Sequence, residues 1–164
     1  MLKKILALVQ TQGHLVLATC SPDGQGGRPH ASLMSYCASI SGQGSGLEFW
    51  LATLADTRKY ANLRANPRAS LLIDDRAGDR AEQGGGPGLA LTVEAELRPF
   101  ESAEAEAHAR RALLKRHPEL ADFLAREGAV VLRMAGLRCQ LLNGLTDVFT
   151  WLPQKSLDDS GGKS

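Results

Sequence analysis

The chain has 164 residues, of which 43% are hydrophobic and 23% charged, the balance of an ordinary globular domain. Its 19 Lys and Arg residues nearly cancel its 18 Asp and Glu residues, and the formal net charge of +1 excludes a strong overall field for nucleic acid or an anionic membrane. No apolar stretch approaches the length of a membrane-spanning helix, so we expect a cytoplasmic protein that binds neither nucleic acid nor membranes.

The first half of the chain reads as one helix followed by strands. Apolar residues at helical spacing predict an amphipathic helix over residues 1–10. Compact apolar runs between turns predict strands over residues 14–20, 29–38, 47–53 and 68–74. A short helix, which Asp56 or Thr57 can cap, separates the last two strands and ends before Pro67.

The middle of the chain combines a long loop, a long strand and two helices. Residues 75–87 are polar and rich in Gly, and their length predicts a loop that is mobile or ordered only by a partner. The strand over residues 88–98 alternates apolar and polar side chains, as a half-exposed antiparallel strand does. Ser102 is expected to cap one helix, and Pro118 to begin a second.

The end of the chain completes a mostly β domain. Further strands are predicted over residues 129–134, 138–143 and 148–152. Residues 154–164 have no apolar pattern, so we expect a single domain over residues 1–153 and a disordered tail. The strands do not alternate regularly with helices, which disfavours a parallel sheet. The sequence therefore predicts a mainly β (α+β) fold, an antiparallel barrel with peripheral helices.

A polar segment in mid-chain carries the strongest chemical signal. One strand ends at Thr53, and Thr57, Arg58 and Lys59 occupy the first turn of the helix that follows. Hydroxyl groups, free helix N–H groups and two adjacent cations are the donors that a phosphate dianion needs. A capped surface helix with solvated charges would carry the same residues, so this segment alone leaves the two interpretations evenly matched.

The same segment resembles the flavin mononucleotide (FMN) phosphate segment of the pyridoxamine 5'-phosphate oxidase family, in which a strand ending in Thr leads into Ser/Thr-Arg-Lys. The family then continues through a helix to Asn-Pro-Arg, as residues 66–68 do here, and to a hydrophobic strand. Residues 17–19, 23–24 and 29–32 are similar to its opening hairpin. The resemblance implies a split β-barrel, FMN as the cofactor, and a homodimer with the flavin at the subunit interface.

The resemblance also implies which residues surround the cofactor. The phosphate and ribityl chain would be held by Thr53, Thr57, Arg58 and Lys59. The flavin would lie along Ser32, Leu33, Met34 and Ser35, mostly through their backbone groups. Leu89 would lie near the ring where the oxidase has a Gln, and Trp151 would stack on the flavin of the partner. Core packing is the alternative for Leu33 and Met34, and barrel packing is the stronger alternative for Trp151.

The chain also departs from the oxidase pattern. The second-strand Arg of the oxidase, which reaches the phosphate, corresponds to Ser32 here, and a later Lys corresponds to Cys37. The C-terminal substrate motif of Trp, Arg and His has no counterpart in residues 140–164, which contain no His. We therefore expect no efficient oxidation of pyridoxamine phosphate. No side chain stands out as a general base, so the catalytic residues are left unassigned.

The expected function is that of an FMN-dependent oxidoreductase or electron carrier with a small-molecule electron donor or acceptor. Two alternatives stay open: a haem- or tetrapyrrole-binding protein on the same barrel, and a deazaflavin-dependent reductase. Residues 138–153 loosely resemble a branch of the same superfamily that is associated with haem utilisation. The four His residues are scattered, which gives little support to haem ligation. The three Cys residues show no CxxC spacing, so we expect free thiols and no metal site.

Overall fold

The computed structural model describes residues 1–22, 27–41, 46–75 and 88–153. The strands are β1 (His14–Cys20), β2 (Pro29–Ser41), β3 (Gly46–Leu54), β4 (Arg68–Asp74), β5 (Leu89–Arg98), β6 (Ala129–Asn143) and β7 (Asp147–Trp151). The helices are α1 (Leu2–Thr11), α2 (Arg58–Ala65), α3 (Ala103–Arg116) and α4 (Ala121–Leu124), and a 3₁₀ turn, Pro118–Leu120, precedes α4. Residues 23–24 of the hairpin resemblance, most of the predicted loop over 75–87 and the predicted tail over 154–164 lie outside the described residues.

The strands form one antiparallel sheet that closes on itself. Their order is β3-β2-β1-β4-β5-β6-β7, and β3 also pairs with β6, which closes a six-stranded barrel. The first half of β6 pairs with β3, from Ala129 opposite Leu54 to Ala135 opposite Glu48. Its second half pairs with β7 instead. The fold is therefore the antiparallel split barrel with peripheral helices that the sequence predicts.

One strand prediction is wrong. Residues 129–134 and 138–143, predicted as two strands, belong to the single strand β6. The register with β5 shifts at Glu94, so that Leu137 is an extra residue on β6. A β-bulge absorbs such a residue without ending the ladder, and the interruption of the apolar pattern therefore marks a bulge rather than a turn.

Apolar side chains fill the inside of the barrel. Leu17, Phe49, Leu71 and Leu91 are fully buried there, together with inward residues of the other strands. Helix α1 packs against the same core, and the Tyr36 hydroxyl donates to its last turn. Because the interior is occupied by side chains, a cofactor has to bind on the outside of the barrel.

The helices lie at the periphery. The predicted cap of α3 is confirmed, because the Ser102 side chain accepts a hydrogen bond from the amide of Ala105 at 3.1 Å. Gly128, after α4, has a φ of +77°, a conformation that favours glycine. Among the described residues, every helix is too short or too polar to cross a membrane.

Candidate functional site

Two neighbouring strands separate at one end of the barrel. The ladder between β2 and β3 ends at Tyr36 opposite Leu51. From there β2 runs back to Pro29 paired with β1 alone, while β3 runs on to Leu54 paired with β6. In the described part of the chain, the β2 edge over residues 29–35 that faces β3 therefore has no strand beside it. We call it the open edge; its main-chain N–H and C=O groups are available to a planar polar ligand.

Thr53 and Thr57 connect the end of β3 to the start of α2. The Thr53 side chain is buried, and its Oγ1 lies 3.0 Å from Oγ1 of Thr57. The Thr57 hydroxyl donates to the carbonyl oxygen of Leu54 at 2.8 Å, so the shared hydrogen bond is donated by Thr53. Both hydroxyl protons are thus committed within the turn. These two hydrogen bonds fix the shape of the turn. An anion bound there would have to accept its hydrogen bonds from the backbone N–H groups and the cations of α2.

Helix α2 begins with two cations and no acidic residue. Arg58 is exposed and Lys59 half-buried, and neither has an ion pair or hydrogen bond in the described part of the chain. Thr57, the N-cap, makes no side-chain capping bond, which leaves the first N–H groups of the helix without that acceptor. Positive charge at a helix N-terminus opposes the helix dipole. Helix α3 follows the opposite, favourable pattern, with acidic residues first and basic residues last.

A buried hydrogen bond ties α2 to the barrel. The Asn62 side-chain amide donates to the Thr19 hydroxyl on β1 at 3.0 Å, and both residues are less than 5% exposed. Arg58 lies one helical turn before Asn62, so this bond fixes the helix that carries the cations. Sequence reasoning missed both residues. An Asn on the buried face of a short helix was the available signal, since a buried polar group needs a partner.

The flavin-facing residues predicted on β2 point in two directions. Leu33 is 72% exposed, although Leu is usually buried, whereas Met34 is 8% exposed and belongs to the core. Strand alternation places Ser35 on the side of Leu33, and Ser32 on the side of Met34. The Ser32 hydroxyl lies 3.1 Å from Nε2 of His30, a residue that sequence reasoning did not single out. All four predicted residues lie on the open edge.

Leu89 and Trp151 lie elsewhere in the same chain. Leu89 pairs with Asn143 at the end of β6, and Trp151 on β7 lies opposite the same half of that strand. Thr53 pairs with Val130 at the start of β6. Strands rise roughly 3.3 Å per residue, so most of the length of β6 separates the two groups. One copy of the chain therefore does not bring Leu89 and Trp151 to the predicted phosphate residues.

The described residues contain no cluster of three or more His, Cys, Asp or Glu side chains that could hold a metal ion. Burial raises the pKa of the Cys139 thiol to about 12. Burial also raises the pKa of Cys37, against the opposing charge of Arg116. A thiolate is the nucleophilic and metal-binding form of Cys, and these shifts favour the thiol form of both side chains near neutral pH.

Comparison with known proteins identifies the family. The family model described as pyridoxamine 5'-phosphate oxidase matches residues 1–138. The chain belongs to the pyridoxamine 5'-phosphate oxidase family. A pyridoxamine 5'-phosphate oxidase homolog of Schizosaccharomyces pombe is 32% identical over 83 residues, which cover 48% of this chain and 42% of the yeast protein.

Solved structures share the fold of this family member. A haem-binding protein from Mycobacterium smegmatis matches with a TM-score of 0.70 at 19% identity, over 89% of this chain and 56% of that protein. A FAD-binding protein from Mesorhizobium loti matches with a TM-score of 0.64 at 16% identity, over 86% of this chain and 93% of that protein. The chain thus spans about half the length of the yeast and mycobacterial relatives. At these identities the two structures establish the fold alone.

The buried bond between Asn62 and Thr19 yields a stability prediction. Asn62→Ala leaves the Thr19 hydroxyl buried without its donor, and should lower the free energy of unfolding by about 1–3 kcal/mol. Replacing both partners by apolar residues, as Asn62→Leu with Thr19→Val, should recover much of that loss. Urea denaturation measures both. An equal loss in the single and double variants would show that the bond does not hold α2 in place.

Proposed function

We propose that this member of the family is an FMN-binding flavoprotein that acts as an oxidoreductase or electron carrier. The observation that carries the proposal is the start of α2, where Arg58 and Lys59 stand without acidic partners at the positive end of the helix dipole. An unfavourable arrangement of charges becomes favourable once an anion binds there. FMN carries one terminal phosphate, which matches a single anion site.

The flavin ring would lie along the open edge of β2, with its polar edge on the main-chain groups of residues 32–35. The main-chain N–H and C=O groups of this edge fit that role, because no strand pairs with them among the described residues. Strand β3 leaves β2 after Leu51 and ends at Leu54, just before the turn that leads into α2. FMN supplies the redox chemistry when it is bound. The chain's own contribution is to hold the phosphate with Arg58 and Lys59 and to orient the ring with β2.

We also propose that the protein functions as a homodimer that closes the flavin site. Leu33 on β2 lies opposite Val16, which lies opposite Leu72, and the three form an apolar row on the outer face of the sheet. Leu33 is 72% exposed in a single copy. Exposure of an apolar side chain to water is unfavourable, and a second copy packed on this row would bury it. The second copy could also supply the Leu89 and Trp151 that one chain keeps distant.

The homodimer proposal predicts that Leu33→Asp produces a monomer. The introduced Asp carboxylate would be buried in the interface without a positively charged partner, and burying an unpaired charge costs several kcal/mol of binding free energy. Ala121→Asp, which adds the same charge at an exposed position of α4, is the control and should remain dimeric. Sedimentation equilibrium reads out the result. A wild-type chain that is monomeric yet binds FMN would contradict this proposal and leave the cofactor proposal standing.

The phosphate proposal predicts a selective loss of FMN. Arg58→Ala and Lys59→Ala should each weaken FMN binding by about 1.5–3 kcal/mol, the contribution of a hydrogen bond to a charged group. Riboflavin lacks the phosphate and should lose much less. Arg64→Ala is the matched control, because it removes one charge from the last turn of the same helix and should change neither affinity. Equal losses for FMN and riboflavin, measured by fluorescence quenching, would assign the two cations to folding instead.

Haem or tetrapyrrole binding is the second candidate. It is supported by the fold shared with the mycobacterial protein, which is a haem-binding protein. Haem presents two propionates and an iron that needs an axial ligand, whereas the start of α2 offers one anion site. The arrangement of charges therefore favours FMN.

A further inference from the structure

A His–Ser pair lies on the open edge beside the proposed phosphate site. His30 and Ser32 occupy the same face of β2, and Nε2 of His30 lies 3.1 Å from Oγ of Ser32. His30 is directly opposite Thr19, the residue whose hydroxyl accepts the hydrogen bond from Asn62 of α2. The pair therefore lies next to the attachment point of the helix that carries Arg58 and Lys59. Both side chains are half-buried, so a ligand at the edge can reach them.

Among the described residues, the elements around this pair, β1, β2 and α2, carry basic residues and no acidic one. The charged or titratable groups at this end of those elements are Cys20, Arg28, Arg58, Lys59 and Tyr60, and Arg64 lies in the last turn of α2. Asp56 lies in the turn before α2 and is exposed. No acidic side chain bonds to His30, so an imidazolium there has no bonded counter-ion within the part of the chain that the structure describes.

We propose that His30 is a positioning residue for the phosphate of FMN and acts through the hydroxyl of Ser32; this inference rests on the proposed FMN site. A neutral imidazole can either donate to Ser32 or accept from it. If the neutral imidazole accepts the Ser32 hydroxyl proton, the hydroxyl oxygen has only lone pairs left to present to an anion and cannot donate to it. An imidazolium has a proton on both nitrogens, so Nε2–H must donate to Ser32 Oγ. The Ser32 hydroxyl is then free to donate its own proton to the phosphate, and the ring adds a positive charge to the site.

The consequence is an affinity for FMN that depends on the protonation of His30. Histidine is the side chain that ordinarily changes its charge between pH 5 and 8. The second ionisation of a phosphate monoester, with a pKa of about 6, falls in the same interval. Because the ligand's ionisation is the same for every variant, the ratio of FMN dissociation constants between His30→Gln and wild type isolates the histidine's part.

The test measures dissociation constants of FMN and riboflavin for the full chain and for three variants, His30→Gln, Ser32→Ala and the double variant. Each single variant should weaken FMN binding about tenfold, the worth of one hydrogen bond, and change riboflavin less than about twofold. The double variant should lose no more than the larger single loss, because the two residues act as one unit. The His30→Gln to wild-type ratio for FMN should be larger at pH 5.5 than at pH 8.

His108→Gln is the control, since His108 is exposed on α3 and should leave both affinities unchanged at every pH. A loss of FMN and riboflavin in equal proportion would assign His30 to the structure of β2 and overturn the inference. Two further results would overturn the inference if Arg58→Ala still weakens FMN binding. One is full FMN affinity in the His30→Gln variant, and the other is a ratio of FMN dissociation constants, His30→Gln to wild type, that does not change with pH. A wild-type chain that binds neither ligand would overturn the proposed function together with this inference.

Discussion

The pairing of β3 with β6 is the constraint on which the rest of this molecule depends. One edge of β3 pairs with β6 from Glu48 to Leu54, whereas its other edge pairs with β2 only as far as Leu51, and one edge of β2 is open beyond that point. The same pairing closes the barrel around a filled apolar core, so that a ligand has no place inside. Helix α2 begins where β3 ends, and the Asn62–Thr19 hydrogen bond holds it against β1 at the residue opposite His30 of the open edge. The course of β3 beyond Leu51, along β6 alone, thus determines both the open edge and the point at which α2 begins.

Much of the fold could be read from the sequence because its strands are short and apolar and lie between strong turn residues. The bounds of β1 and β4 agree with those predicted, and Ser102 caps α3 as expected. The bulge in β6 could not be predicted from the sequence, because a bulge within a strand interrupts the apolar pattern in the same way as a turn between two strands. The closure through β3 and β6 is a contact between segments far apart in sequence, which local patterns do not encode.

The candidate site was predictable in part, and for a physical reason. Residues 53–59 are contiguous in sequence, so their proximity follows from one turn of backbone. Asn62 with Thr19, by contrast, meet only because α2 folds over the end of β1. The His30 and Ser32 pair is local, yet its relevance depends on the departure of β3 from β2. Leu89 and Trp151 belong to the site only if a second copy of the chain brings them there.

Family membership fixes the barrel and leaves the ligand open, because the fold is shared by a haem-binding protein and a FAD-binding protein. In the function proposed for this chain, the positive charges at the start of α2 favour FMN over haem. Titrating FMN and haemin separately into the purified full-length apoprotein, followed by absorbance and flavin fluorescence, tests this most directly. We predict saturable FMN binding that is tighter than haemin binding and tighter than riboflavin binding. Tight haemin binding with no FMN binding would contradict it.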